Sequence, residues 1–428
     1  MIEENVGLGD RASSRTRASR RCRGIGTSGP ARTSVRALAC AVGFFVVAGP
    51  VLAQERQQTG DSHDTRHHRV EAEVIAGDLE HPWGLALLPD GRFLVTERNP
   101  GHLRLGEVGG ELSEPLEGVP EIFRYEGETE RSQAGLFDVK LHPDFEENRL
   151  VYLSFSKSTS RGAALAIVRG RLSEGEEVPR LEDVQEIFEM KEEDQDASGL
   201  HFGGRMAFDT HHQVLYLSVG ERRNISRSQE VDDQAGSILR MTWEGDPAGA
   251  ELQLDADGGE QDEYIWSWGH RNPQGVALHP DDGSLWIVDH GPEGGDGVNR
   301  IAEGGNYGWP FYTEGKDYSG APLGYETPPE GVIPPIHVFA ETVAPSGLAF
   351  YRGAAFPEWE GDLLVGGLIA EGVVRLRLGQ DGTVVEEELM FGEMGRRIRD
   401  VQIGDDGAVW VITEHSDGEV IRFSPSDP

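Results

Sequence analysis

The chain has 428 residues, a net charge of −36 and 37% apolar side chains. So much negative charge repels nucleic acid and anionic lipid, which excludes both as partners. Its two cysteines, Cys22 and Cys40, lie near the N-terminus, so the rest of the chain has no disulfide, thiolate metal site or cysteine nucleophile.

In chain order, Arg11, Arg15, Arg17, Arg20, Arg21, Arg23, Arg32 and Arg36 precede an apolar run, Ala37 to Val51, and the small-residue exit Val51-Leu52-Ala53. A basic region, a hydrophobic region too short to span a bilayer and an A-x-A-like site are the layout of a secretory signal peptide. Residues 1–53 therefore read as a leader. Cleavage after Ala53 implies a periplasmic or secreted protein with no membrane insertion. Residues 54–75 read as a flexible N-terminal segment and 76–428 as a single domain. Without the leader's eight arginines and three acids, 31 basic residues face 72 acidic ones, and four of the basic residues are lysines. This excess of acid fits a salty environment, where screening relieves self-repulsion.

One pattern then recurs six times: a short apolar strand, a turn with Pro, Asp or Gly, and a second strand ending near an acid. The copies are Gly84–Glu97, Gly135–Phe145 with Val151–Phe155, Gly204–Asp209 with Leu215–Glu221, Gly275–Asp289, Gly347–Tyr351 with Leu363–Gly367, and Asp400–Glu414. Period-two alternation, β-branched and aromatic residues and Asp-Gly turns mark each as a β-hairpin. The spacing of roughly 50 to 70 residues leaves room for four strands and a loop. Further strands read at Ala164 to Arg171, Ser237 to Trp243, Val373 to Leu378 and Glu419 to Phe423. The expected fold is all-β, a six-bladed β-propeller of four-stranded antiparallel blades.

A propeller brings the residues before each first strand to the same end of the central channel as those closing the second. The first set is His81, Gln133, His201, Arg271 with Asn272, and Arg397 with Arg399. The second is Glu97, Glu221, Asp289 and Glu414. Arg271, Arg397 and Arg399 around one opening of an acidic protein make an anion site, since arginine's planar fork suits carboxylates. His201 beside Glu221 is the arrangement of a general base oriented by a carboxylate. The bland readings are a packed histidine and inter-blade ion pairs. The stretch His290–Asp296 is rich in glycine and leaves main-chain carbonyls free, which suits calcium.

His201–Arg205, Gly269–Gly275, Asp289–Pro292, Gly305–Pro310 and Arg397–Val401 resemble stretches of the soluble aldose sugar dehydrogenases that depend on pyrroloquinoline quinone (PQQ), the glucose/sorbosone dehydrogenase family. The resemblance runs from about His81 to Pro425. It implies that His201 takes the proton of the anomeric hydroxyl while hydride passes from C1 of an aldose to PQQ, with Glu221 supporting the histidine. It further implies that Arg271 and Asn272 contact the quinone oxygens, that Gln133 lies near the cofactor, and that Arg397 and Arg399 hold its carboxylates. The main-chain carbonyls of Gly291 and Pro292 would carry Ca2+. An electron acceptor of unknown identity would then be needed, and propellers of this kind serve as monomers or homodimers. Two positions depart from the family. Ile369 stands near the place of a lysine that pairs with PQQ in some members. Gly297 replaces a glutamate that, with the carbonyl of the residue matching Tyr307, binds a further calcium. Two other readings stay open: a calcium-dependent lactonase or esterase using Glu97, Glu221, Asp289 and Glu414, and a non-catalytic propeller that binds carbohydrate or protein.

Overall fold

The structure, a computed structural model, describes residues 61–125, 132–174, 178–252 and 261–426. The leader expected over 1–53 lies outside the described residues. Among the described residues, no helix is long and apolar enough to cross a membrane.

Each of the six repeats folds as one small sheet. Their inner strands are Pro82–Leu87, Leu136–Leu141, Met206–Asp209, Pro273–Leu278, Pro345–Phe350 and Ile398–Ile403. Each touches the next and the sixth touches the first, which closes the ring of a six-bladed propeller. Six apolar clusters fill the wedges between neighbouring blades. The second strands are therefore covered on both faces: all of Val214–Val219 is buried. Buried and exposed residues alternate only further out, as in Val384–Met390. The inner hairpins thus read as continuous apolar runs, as strands packed on both sides do.

Hydroxyls fasten neighbouring blades close to the channel. Thr96 donates to the carbonyl of Phe137 at 2.6 Å, Ser154 to Gly204 at 2.5 Å, Ser218 to Pro273 at 3.0 Å and Ser346 to Ile398 at 2.6 Å. Each reaches from one blade to the start of the next, where a main-chain carbonyl would otherwise lie buried without a donor.

The blades are not uniformly four-stranded. The first has three strands, Pro82–Leu87, Arg92–Glu97 and His102–Glu107. The segment after them carries Gly109, Gly110, Pro115 and Pro120, and proline cannot donate to a ladder. The third blade gains a fifth strand, Gly305–Asn306, parallel to Ile265–Trp268. The sixth gains two from the beginning of the chain. Arg69–Leu79 pairs antiparallel with Gly418–Pro425, and Asp61–Asp64 pairs with Arg69–Ala72. The expected flexible segment is thus strand from Asp61 to Asp64 and again from Arg69. Its residues repeat no leading-glycine pattern because they complete the last blade rather than begin one.

Candidate active site

A cavity of about 280 Å³ opens at the rim where the inner strands begin, close to the lower end of small-molecule pockets at roughly 300–1,000 Å³. Gln133, Asn272, Arg397, Arg399 and Glu414 line it, all drawn from the two predicted sets. Trp83, Arg98, Gln274 and His290 line it as well. His81, His201, Arg271, Glu97, Glu221 and Asp289 do not, although Phe202 and Gly203, which follow His201, do; the Glu97 carboxylate accepts from the Glu80 amide and pairs with Arg104.

His201 is buried, and its Nδ1 lies 2.5 Å from a carboxylate oxygen of fully buried Glu221. Its backbone is left-handed, φ 49°, a conformation non-glycine residues rarely adopt. Two contacts hold it there: the Glu221 bond, and its own amide donating to Gln133 Oε1 at 2.7 Å. The adjacent Gly203 is also left-handed, and a Cβ there would stand 2.5 Å from the Ser218 carbonyl. Burial holds His201 below the usual histidine range, against the opposing pull of Glu221. The ring is neutral at pH 7, with Nδ1–H donated to the carboxylate. Nε2 makes no hydrogen bond with the described residues, so its lone pair is free to accept a proton.

Asp289 organises the next segment. Its carboxylate accepts the amides of Arg271 at 2.9 Å and Asn272 at 2.7 Å, and burial pushes its pKa up to about 6. Asn272 Oδ1 in turn accepts from Gln274 Nε2 at 3.3 Å and the Gly203 amide at 3.3 Å. The Arg271 side chain does not line the cavity. It turns to the His290 carbonyl, the Tyr318 hydroxyl and the Trp309 ring. The 290–296 loop is fastened by Asp296, which accepts the amides of Gly291, Val343 and Ala344. Neither the Gly291 nor the Pro292 carbonyl accepts a hydrogen bond from the described residues, so both remain available to a hard cation.

Arg397 and Arg399 both pair with Glu414 on the neighbouring strand of their own blade. The expected inter-blade ion pair exists too, but through a residue that sequence reasoning missed: Arg98 of the first blade reaches Glu414 at 3.2 Å. The three guanidiniums hold Glu414 down to about 2. Arg399 is buried with its Nε unpartnered. The repeat register carried the signal for Arg98 and His290, because each directly follows the acid that closes its copy.

Under the cavity, buried Arg205 contacts Asp138 at 3.3 Å, Asp400 at 3.1 Å and the carbonyls of Gln274 and Arg399, with Trp83 stacked at 4.1 Å. It joins several blades at the channel, and it closes the His201–Arg205 motif without having been assigned a role.

The glucose/sorbosone dehydrogenase family model matches residues 79–422. The aldose sugar dehydrogenase of Escherichia coli is 36% identical over 364 residues, which cover 83% of this chain and 93% of that protein. Its apo crystal structure superposes with a TM-score of 0.76, covering 83% of this chain and all of that one. The PQQ-bound aldose sugar dehydrogenase of Streptomyces coelicolor is 25% identical, with a TM-score of 0.65 over 83% of this chain and 98% of that one.

Proposed function

Because the chain belongs to the glucose/sorbosone dehydrogenase family, we propose that it oxidises aldose sugars at C1 to the lactone with PQQ and Ca2+, as an exported protein. The observation that carries this reading is a buried, carboxylate-oriented His201, followed in the chain by the cavity-lining Phe202 and Gly203, together with a cavity wall holding three guanidiniums and one carboxylate.

The donor set fits both groups. PQQ is a tricarboxylate, and desolvated carboxylates need cations or several donors; Arg397 and Arg399 supply them, and the free Arg399 Nε is a donor awaiting an acceptor. The carbonyls of Gly291 and Pro292 suit calcium. Bound there, PQQ supplies the two-electron acceptor and calcium the Lewis acid that polarises it.

The chain's own part is positioning and proton transfer. His201 takes the proton of the anomeric hydroxyl at Nε2 as the C1–H bond gives up its hydride. Glu221 keeps the ring in the tautomer that accepts there and steadies the imidazolium that forms. Asn272, whose main-chain amide is held by Asp289 and whose side chain accepts from Gln274, lines the cavity and would contact the cofactor there. Arg271 would hold the cofactor only on turning from the His290 carbonyl and the Tyr318 hydroxyl. Gln133 fixes His201 through its amide. An external acceptor then removes the electrons.

The hydrolase alternative needs channel carboxylates free to take calcium. Glu97, Glu221, Asp289 and Glu414 are each engaged with arginine, histidine or backbone amides, although one oxygen of Glu221, Oε1, has no hydrogen-bond partner among the described residues. The test is reconstitution of apo-protein with PQQ and calcium followed by aldose-dependent dye reduction. Bound PQQ without reduction by any aldose would overturn the proposal.

A further inference from the structure

Among the described residues Glu414 is the one carboxylate lining the cavity, and it is shared by three arginines. Arg397 and Arg399 approach Oε2, the former at 3.3 Å, and Arg98 approaches Oε1 at 3.2 Å. Their other partners among the described residues are neutral: the Leu368 carbonyl at 2.9 Å for Arg397, Gln274 at 3.0 Å for Arg399 and Asn99 at 3.2 Å for Arg98. This wall therefore carries two more positive charges than negative ones in a protein of net charge −36.

Arg98 contributes to that excess without need. Glu414 would still have two arginines without it. Its side chain is nonetheless only 11% exposed, and withdrawing a guanidinium from water against a carboxylate already served is unfavourable unless another anion completes the pairing. Neighbouring His81 adds no charge, because burial and Arg98 itself hold it below the usual histidine range. The position is distinctive too. Arg98 follows the strand Arg92–Glu97 of the first blade, on one side of the sixth blade, while Ile369, an exposed apolar residue of the fifth, lines the cavity on the other.

We propose that Arg98 is a third cofactor-binding cation. Using the Nη2 that makes no hydrogen bond with the described residues, it would hold a PQQ carboxylate on the first-blade side of the cavity. The inference rests on the PQQ reading above.

The test is equilibrium binding of PQQ to the full-length apo-protein at fixed calcium, followed by tryptophan fluorescence and not by turnover. Arg98→Gln should raise the dissociation constant about tenfold, as loss of a charge-assisted hydrogen bond would. Arg98→Lys should fall between it and wild type. The gap between wild type and Arg98→Gln should narrow as salt is raised, because screening weakens the lost attraction. Wild-type protein that does not bind PQQ would overturn the cofactor reading itself. Wild-type binding that Arg98→Gln reproduces would overturn the role of Arg98 alone. So would a gap that salt does not change, since a merely structural defect persists at any ionic strength. Should Arg98→Gln fail to fold in a thermal melt, Arg98→Lys decides: weaker binding supports the proposal and unchanged binding refutes it.

Discussion

At the rim where the inner strands begin, most ionisable groups are buried: Arg399, Glu414, His201 and Glu221 are each less than a tenth exposed, and Arg397 is 36% exposed. At the opposite rim, among the turns near Asp90 and Asp406, charged groups pair in the open. Arg92 meets Asp90 at 2.6 Å and Arg422 meets Asp406 at 2.5 Å, with the two aspartates 46% and 53% exposed. The opposite rim also has the larger cavity, about 1,020 Å³ against about 280 Å³. Volume is therefore a poor guide to chemistry here. Desolvation decides, because an ion pair screened by water contributes about 0–1 kcal/mol, whereas a buried charge acts strongly on whatever fills the site.

This contrast can be broken or sharpened by experiment. Removing calcium should have the largest effect. Chelation should abolish dye reduction and added calcium should restore it; full activity after exhaustive chelation would remove Gly291 and Pro292 from the site. His201→Ala should lower kcat by about 10²–10⁴ while leaving the PQQ titration nearly unchanged, because the base acts on the sugar.

Arg399→Ala should raise the PQQ concentration for half-activation at least ~10-fold, on the order of a charged hydrogen bond. Turnover at saturating PQQ should hardly change. A titration that overlays wild type would reduce these arginines to partners of Glu414. Glu221→Gln should lower kcat less than His201→Ala and should also move the pH profile. Burial puts the His201 pKa below its ordinary value, so the neutral base persists below the usual pH and is lost only as pH falls further. Glu221 opposes that shift. Its neutral replacement should therefore carry the acid limb of kcat to still lower pH; a limb moving upward would contradict the pairing. The smallest effect belongs to the opposite rim: Arg422→Ala should cost no more than about 1 kcal/mol in a denaturant melt and leave PQQ binding alone.

Much of this was legible in the sequence because the repeat is geometric. Six hairpins of one register predict one ring, and the ring predicts which residues share a rim; Gln133, Asn272, Arg397, Arg399 and Glu414 followed from that alone. Fine structure escaped where it depends on partners far along the chain. Strand formation at Arg69–Leu79 needs Gly418–Pro425 beside it. The absence of a fourth strand in the first blade depends on where Pro115 and Pro120 fall relative to a ladder. Side-chain direction escaped as well. Register places Arg271 at the rim, but packing against Trp309 and Tyr318 turns it away from the cavity. At the close of the first copy it is Arg98, one residue past the acid, that lines the cavity, while Glu97 is held by Arg104 and the Glu80 amide.

The joining of the two ends in the sixth blade also bears on force. Val70 pairs with Pro425, and the Ser426 amide donates to the Arg69 carbonyl at 2.9 Å. The start of one strand thus lies beside the end of its antiparallel partner. Tension applied at Arg69 and Ser426 would load the cross-strand bonds one after another from that edge rather than all together in shear. The ring would open by peeling at its seam, at low force, while the blades carrying His201 and Asn272 were still intact. Linking Ser426 to Arg69 and opening the chain at a turn of the opposite rim would remove that weakness and keep every strand of the ring except Asp61–Asp64.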